Sequence, residues 1–452
     1  MFDQSSTNFA SPNADLIVVG GGLGGLIAAA KVAQAGRSVL VLEQARQWGG
    51  RAATQVHDQR HLNLGPHALY CAGHAFRLLQ ELNVPFSGRF PNPGRSVLLK
   101  GKTEYPFPRG IWSLLTSKML TVREKWVLSR LLKEIPQMST ESLEHVSLQT
   151  WIEQQAGNDN LAAFLRTLFR LGTFIDDAEQ LSAAVAIEQQ KIGMSGNVWY
   201  LDGGWQTLID GLQHRAQESG AEFRSSASVK RVQHDTDGVT VTLSSGEVLR
   251  SRTVILAVPP SVACKLLDLA DDAPLALWTK QAVPAHAACL DVCLSQLTRP
   301  DHRFALGLDR SVYYSVHSAA AKLAPEGIAV VQVMKYLRED VEKSYSAIET
   351  ELEGVLDQMQ PGWRAHTVER RYLPGMTVSH CLPTAASGGF SGRPGVRMEE
   401  NPGVFLAGDW VGARGVLADA SAASAEEAAN CVLNQLLDET RPAIGGTLYV
   451  GN

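Results

Sequence analysis

Gly20, Gly22 and Gly25 stand in the spacing G-x-G-x-x-G, and Glu43 follows 18 positions after the last of them. Together these residue types can hold a dinucleotide. Gly20 makes a tight turn, Gly22 lets backbone approach a pyrophosphate, and Gly25 lets a helix pack closely on a strand. Leu23 and Gly24 open that helix, whose free N–H groups and positive dipole end favour phosphate. A carboxylate at Glu43 can accept hydrogen bonds from both hydroxyls of a ribose. Far downstream, Gly408-Asp409 ends a buried run, and Leu64-Gly65-Pro66-His67 and Arg414 supply the remaining polar candidates.

The elements needed to position these residues are legible. Asp15 to Gly20 reads as a short, fully buried parallel strand, Leu23 to Ala35 as a helix of strong formers with Gly36 after it, and Ser38 to Leu42 as a second strand. Strand, glycines, helix, strand and acid in that order make a βαβ dinucleotide unit, and the expected class is α/β. Ala227–His234, Val239–Leu243 and Val248–Arg250 read as strands separated by turns at 235–238 and 244–247, and Thr253–Val258 as a buried run. Val416 begins a long Ala-rich helix running to about Leu437. Residues 76–198 read as mostly helical, and His286–Leu294 and Gly327–Val333 as strands.

Composition bounds the reading. The chain has 452 residues, 45% hydrophobic and 19% charged, which excludes a disordered or disulfide-built chain. A net charge of −5 argues against nucleic acid as a partner. Six scattered cysteines without a CxxC pair suit reduced thiols and a cytoplasmic setting. Residues 1–13 read as a polar, disordered tail without the features of a secretory signal. His286, Cys289 and Cys293 do not have a zinc spacing, so no metal is expected, and no G-x-S-x-G, P-loop or H-E-x-x-H signature occurs.

Beyond Glu43 and Gln44 the chain continues to Gly49-Gly50-Arg51, and here it resembles the FAD-dependent amine oxidase, phytoene desaturase and protoporphyrinogen oxidase superfamily of two-dinucleotide-binding-domain flavoproteins. The segments Gly203-Gly204-Trp205, Ser228-Val229-Lys230-Arg231-Val232 and Gly408-Asp409 with the following helix carry the same resemblance. It implies a Rossmann-like (GR2-type) FAD-binding domain from residues 14–75, 199–280 and 395–440, and a discontinuous α+β substrate domain from 76–198 and 281–394. It further implies that Gly50 and Arg51 reach the pyrophosphate or ribityl region, that the Val229 backbone bonds adenine, and that Asp409 binds the ribityl chain. Gly65, Pro66 and His67 would pass beside the isoalloxazine, with Leu417 and Ala418 at its pyrimidine edge. Read on their own residue types, Val229 is equally a core residue, His67 a satisfied structural histidine, Asp419 a helix cap and Arg414 a surface charge. No cysteine stands in a flavinylation context, so the FAD is expected to be noncovalent.

Within the superfamily the chemistry divides. Amine oxidases carry a lysine near the flavin on a substrate-domain strand and an aromatic before the last helix. His286–Leu294 has no lysine, and 411–420 has no aromatic. The expectation is therefore phytoene-desaturase-like dehydrogenation of a small lipophilic substrate, with oxygen or a quinone as acceptor. The alternatives are protoporphyrinogen-oxidase-like or amine oxidation, and more remotely a non-catalytic prenyl-protein-binding protein of the GDP-dissociation-inhibitor type. Residues 109–132 interleave Arg109, Lys118, Arg123, Lys125 and Arg130 with Trp112, Leu115 and Trp126. Such a segment reads either as a peripheral membrane contact or as a packed helix pair with a solvated basic face.

Overall fold

The computed structural model describes residues 14–440 apart from 93, 109, 237 and 339–343. The expected tail over 1–13, Arg109 and Asp237 lie outside the described residues. The chain begins β1 (Ala14–Val19), α1 (Leu23–Gln34), β2 (Val39–Leu42), β3 (Thr54–His57), β4 (Arg60–Asn63), β5 (Leu69–Tyr70) and α2 (His74–Glu81). It continues β6 (Gly88–Arg89), β7 (Arg95–Lys100), β8 (Thr103–Pro106), α3 (Ile111–Thr116), α4 (Val122–Glu134), α5 (Leu148–Ala156), α6 (Asp159–Thr173), α7 (Ala183–Gly196), β9 (Val198–Leu201) and α8 (Gln206–Glu218). Then come β10 (Glu222–Arg224), β11 (Val229–Asp235), β12 (Gly238–Leu243), β13 (Val248–Leu256), α9 (Pro260–Leu266), α10 (Pro274–Gln281), β14 (Ala285–Leu294), β15 (His302–Gly307) and β16 (Val312–Val316). The last elements are β17 (Ala329–Leu337), α11 (Tyr345–Met359), β18 (Thr367–Ser379), β19 (Val404–Leu406) and α12 (Leu417–Thr440).

The first sheet runs β10-β2-β1-β13-β12-β11, with β19 also paired to β13. Its β10, β2, β1, β13 and β19 are parallel, whereas β12 and β11 fold back antiparallel. The strand expected over 248–250 and the buried run beginning at Thr253 form one strand, β13. The polar stretch Arg250-Ser251-Arg252 alternates across the pleat: Ser251 is buried and pairs with both Ala14 and Val239, while the arginines lean outward. α1 packs against this sheet, α8 and α12 at once. It is therefore apolar nearly all round, and Ala28, Ala29 and Ala30 allow the close approach.

The second sheet runs β18-β14-β17-β16-β15-β7-β8. Along β14 the side chains divide between two cores. Ala285, Ala287 and Cys289 pack with the helices α4–α7, while Ala288, Leu290 and Val292 pack with α11. The stretch 76–198 is thus not simply helical. Val97-Leu98-Leu99 forms a strand parallel to β15, a short apolar run that periodicity alone cannot distinguish from helix. The end of β18 in the second sheet meets the loops after β2 and β19 of the first, through Arg51 to Val378 and Asp409 and through His380 to Asp409.

Candidate functional site

α1 starts at Gly22, whose backbone is extended, and neither a side-chain cap nor a first-turn acid meets its N-terminal N–H groups. Glu43 is fixed beside it: Oε2 accepts the Gly21 N–H at 2.7 Å and Oε1 the Ala45 N–H at 2.8 Å. The Glu43 backbone is locked too, its N–H on Arg224 O at 3.0 Å and its carbonyl accepting the Ala227 N–H at 2.8 Å. Gln44 is exposed.

The glycines separate into two kinds. A Cβ on Gly25 would collide with the Gly20 carbonyl, and Gly20 itself, at φ +110°, lies against Ala257 O. These two serve the packing of strand on helix. Gly24 lies against Ser421 of α12, 3.3 Å from a built Cβ to the carbonyl oxygen, so it serves helix packing rather than a ligand. At Gly22, by contrast, a Cβ would find nothing nearer than Gly49 O at 3.9 Å, and at Gly50 nothing nearer than Gly22 Cα at 3.8 Å. The Gly49 N–H donates to Gly21 O at 2.9 Å, which holds the two loops face to face. With no side chain at Gly22 or Gly50, the backbone of these two touching loops lies bare beside an uncapped helix N-terminus, a surface that suits a pyrophosphate.

Arg51 continues that loop and pairs with Asp409. Nη1 donates to Oδ2 at 2.7 Å and Nη2 to Oδ1 at 2.8 Å, while Nη1 also reaches Val378 O at 3.0 Å. The His380 N–H donates to Asp409 Oδ2 at 3.1 Å. Burial would raise the Asp409 carboxyl, but the Arg51 guanidinium outweighs it and, with the His380 N–H, holds it down to about 2. Burial and the Arg51 charge together lower the His380 imidazole to about 4. The two residues expected to contact a cofactor independently are one unit. Arg393, itself buried, donates to Asp409 O at 3.1 Å and Gly415 O at 3.0 Å, bracing the Gly-rich loop.

Gly65 sits against Met376 of β18, and Pro66 follows it into His67. The His67 ring is engaged: Nδ1 lies 2.9 Å from Gly65 O, and the ring centroid 4.9 Å from that of Trp205. Burial depresses its pKa. Arg414, the other weak candidate, has a side chain 52% exposed and 3.7 Å from Glu427. Leu417 opens α12 at φ +55°, with Ala418 half-buried on the first core. Val229 is half-buried and paired with Leu243 at a bulge in β11.

Asp419 is not a cap of its own helix. Its Oδ1 accepts the Ala75 N–H at 2.8 Å in the first turn of α2, so it caps a helix 344 residues away. Burial pushes this carboxyl up to about 6 against the pull of that N–H.

Two groups escaped sequence reasoning. Asp291 on β14 is fully buried and bonded to Arg371, Gln332 and Cys289, and Arg371 also grips the carbonyl of Asn63. Tyr200, Tyr313 and His317 form a buried chain, with 3.2 Å between the hydroxyls and 3.1 Å from Tyr313 to His317 Nε2. Burial drives the His317 imidazole down to about 3, so it is neutral. The Tyr336 hydroxyl close by is buried with no partner among the described residues. The adjacent tyrosines Tyr313 and Tyr314 of β16 read equally as core.

The family model for flavin containing amine oxidoreductases matches residues 23–433. A Mycobacterium tuberculosis protein provisionally described as the flavin-containing monoamine oxidase AofH is 27% identical over 263 residues, 55% of this chain and 57% of that one. A phytoene desaturase of Cercospora nicotianae is 26% identical over 278 residues, 53% of this chain and 44% of that one. The chain spans about half the length of the curated relatives it matches. A solved oxidoreductase from Methanosarcina mazei superposes with a TM-score of 0.74 at 17% identity, over 91% of this chain and 99% of that one, which shows a shared fold.

Proposed function

The chain belongs to the flavin containing amine oxidoreductase family, and from that premise we propose that it binds FAD noncovalently and dehydrogenates a lipophilic organic substrate in the manner of phytoene desaturases. A flavin is the family's cofactor, and FAD supplies hydride acceptance at N5 when bound. The chain's residues do the holding. The α1 N-terminus and the bare backbone of Gly22 and Gly50 suit a pyrophosphate, Glu43 a ribose, and the Arg51–Asp409 unit the stretch between. Arg393 keeps the loop before α12 in place. Cys381, beside Asp409, is buried with its thiol pushed up to about 12, which disfavours a covalent link.

The observation that carries the desaturase reading is the position of lysine. The second sheet turns Ala287, Cys289, Leu306 and Met334 toward Val416, Leu417 and Met376, within one apolar core. Lys335 points to the opposite face, bonded to Glu351 of α11 at 2.7 Å, and Lys100 is exposed at the end of β7. Among the described residues no strand lysine of this sheet faces the site. An apolar wall without a strong base suits hydride removal from an activated C–H.

Protoporphyrinogen-oxidase-like or amine oxidation is the second reading, favoured by the Tyr200–Tyr313–His317 chain, which suits a substrate carrying N–H or carboxyl groups. Anaerobic mixing of the yellow holoenzyme with polyenes, porphyrinogens and amines in turn tests both. Bleaching by a polyene supports the first reading. Bleaching by amines or porphyrinogens alone replaces it with the second, and protein that takes up no FAD removes both.

A further inference from the structure

α3 and α4 carry the largest apolar side chains that the fold leaves in water. Trp112 is 82% exposed, Leu115 53%, Val122 83% and Trp126 66%. Trp112 and Leu115 are three apart, and Val122 and Trp126 four apart, so each pair shares one helix face. This is not a loose end of the core. The opposite faces, with Leu114, Leu120, Leu128 and Leu131, are fully packed. The two helices are also tied to one another: the Lys125 ammonium donates to Leu115 O at 2.7 Å. Thr121 and Glu124 form a reciprocal cap at the start of α4.

The charge around these side chains is one-sided. Between residues 110 and 134 five basic residues (Lys118, Arg123, Lys125, Arg130, Lys133) accompany two acidic ones, in a chain whose net charge is −5. Of the two acids, Glu124 is buried and spent on the Thr121 N–H at 2.6 Å and Asn160 at 3.1 Å, and Glu134 answers Arg130. Among the described residues no carboxylate lies within ion-pair distance of Lys118 or Arg123.

We propose that this α3–α4 surface docks on an anionic lipid bilayer, with Trp112, Leu115, Val122 and Trp126 entering the headgroup–acyl boundary and Lys118 and Arg123 meeting the lipid phosphates. Tryptophan has its greatest advantage at such a boundary, with its ring apolar and its N–H wet. Charge selects the occupant. A second copy meeting this face with the same face would set like charges against each other, whereas an anionic bilayer complements them. Among the described residues no helix is long and apolar enough to cross a membrane, so the contact is a surface one. The buried faces of α3 and α4 belong to the same apolar core as Met376 and Val416. That a lipophilic substrate enters from the bilayer here rests on the reading above, whereas docking itself does not.

The test is flotation of the holoenzyme with vesicles of phosphatidylcholine alone and of phosphatidylcholine mixed with phosphatidylglycerol. Binding is expected only to the mixed vesicles, with a blue shift of tryptophan fluorescence and release by salt. Trp112→Ala/Trp126→Ala and, separately, Lys118→Glu/Arg123→Glu should each cut binding by roughly tenfold or more. These exposed changes should leave the flavin absorbance per chain unchanged, which separates failure of docking from failure of the FAD reading. No flotation with the mixed vesicles overturns the proposal. So does undiminished binding by the tryptophan variant, or a lipid-free dimer that the same variant dissociates.

Discussion

Arg51 and Asp409 are 358 positions apart and meet in two parallel N–H···O bonds of 2.7 and 2.8 Å. One end of the pair is the loop after β2, the other the loop after β19. Closing this pair therefore brings the two ends of the family match together. Arg51 uses three of its five N–H groups on Asp409 and Val378, and the planar fork fits a carboxylate in a way an ammonium cannot.

Arg51→Lys should fold yet retain flavin roughly tenfold less tightly, because a lysine cannot make both bonds. Asp409→Asn should go further and elute largely colourless, since it leaves Arg51 without its carboxylate. Flavin absorbance per chain after gel filtration, and quenching titrations with added FAD, measure both. Full flavin content in Asp409→Asn would refute a cofactor-holding role for the pair.

Asp419 makes stability fall as pH rises. Its folded pKa of about 6 lies above the ~3.9 of an unfolded carboxyl. The folded state therefore binds the extra proton between those values, and its advantage is complete below about 4 and lost as pH passes 6. The size is on the order of 2–3 kcal/mol. Asp419→Asn keeps an oxygen for the Ala75 N–H and removes the titration. The melting temperature of Asp419→Asn should rise relative to wild type between pH 4 and pH 7, and a constant difference would contradict the assignment.

Arg393 braces two carbonyls from a buried position. Arg393→Met keeps the bulk and drops both bonds, at a cost of about 2–3 kcal/mol for bonds from a charged donor. Flavin should be lost more easily than in wild type, with proteolysis appearing within 409–416. Unchanged cleavage there would show that the loop stands without Arg393.

Tyr336 and Tyr313 should respond oppositely to loss of the hydroxyl. Tyr336→Phe removes a buried group with no partner among the described residues, so stability should hold or rise by about 1 kcal/mol. Tyr313→Phe breaks bonds to Tyr200 and His317 and should cost about 1–2 kcal/mol. Chemical denaturation reads both. A rise in KM for Tyr336→Phe with kcat little changed would mark that hydroxyl as a substrate contact.

Much of the fold was readable because its signals are local. The β1–α1–β2 unit, its glycines and Glu43 are neighbours in sequence, and burial on both faces leaves uninterrupted apolar runs. β13 was split in two because its pairing switches from β12 to β1 and β19 along its length, which no local pattern records. β7 was missed because three apolar residues suit helix and strand alike.

By itself the sequence determined the βαβ unit and the places of its glycines, because a tight turn and close backbone approach demand glycine wherever they occur. Only the tertiary structure decided which residues act together. It joined Arg51 to Asp409, turned Asp419 into the cap of α2, set His67 against the Gly65 carbonyl and left Arg414 half-exposed beside Glu427. These outcomes depend on which distant groups share a buried space. There an unpaired charge or donor is costly, so the partner that packing brings within reach decides the role.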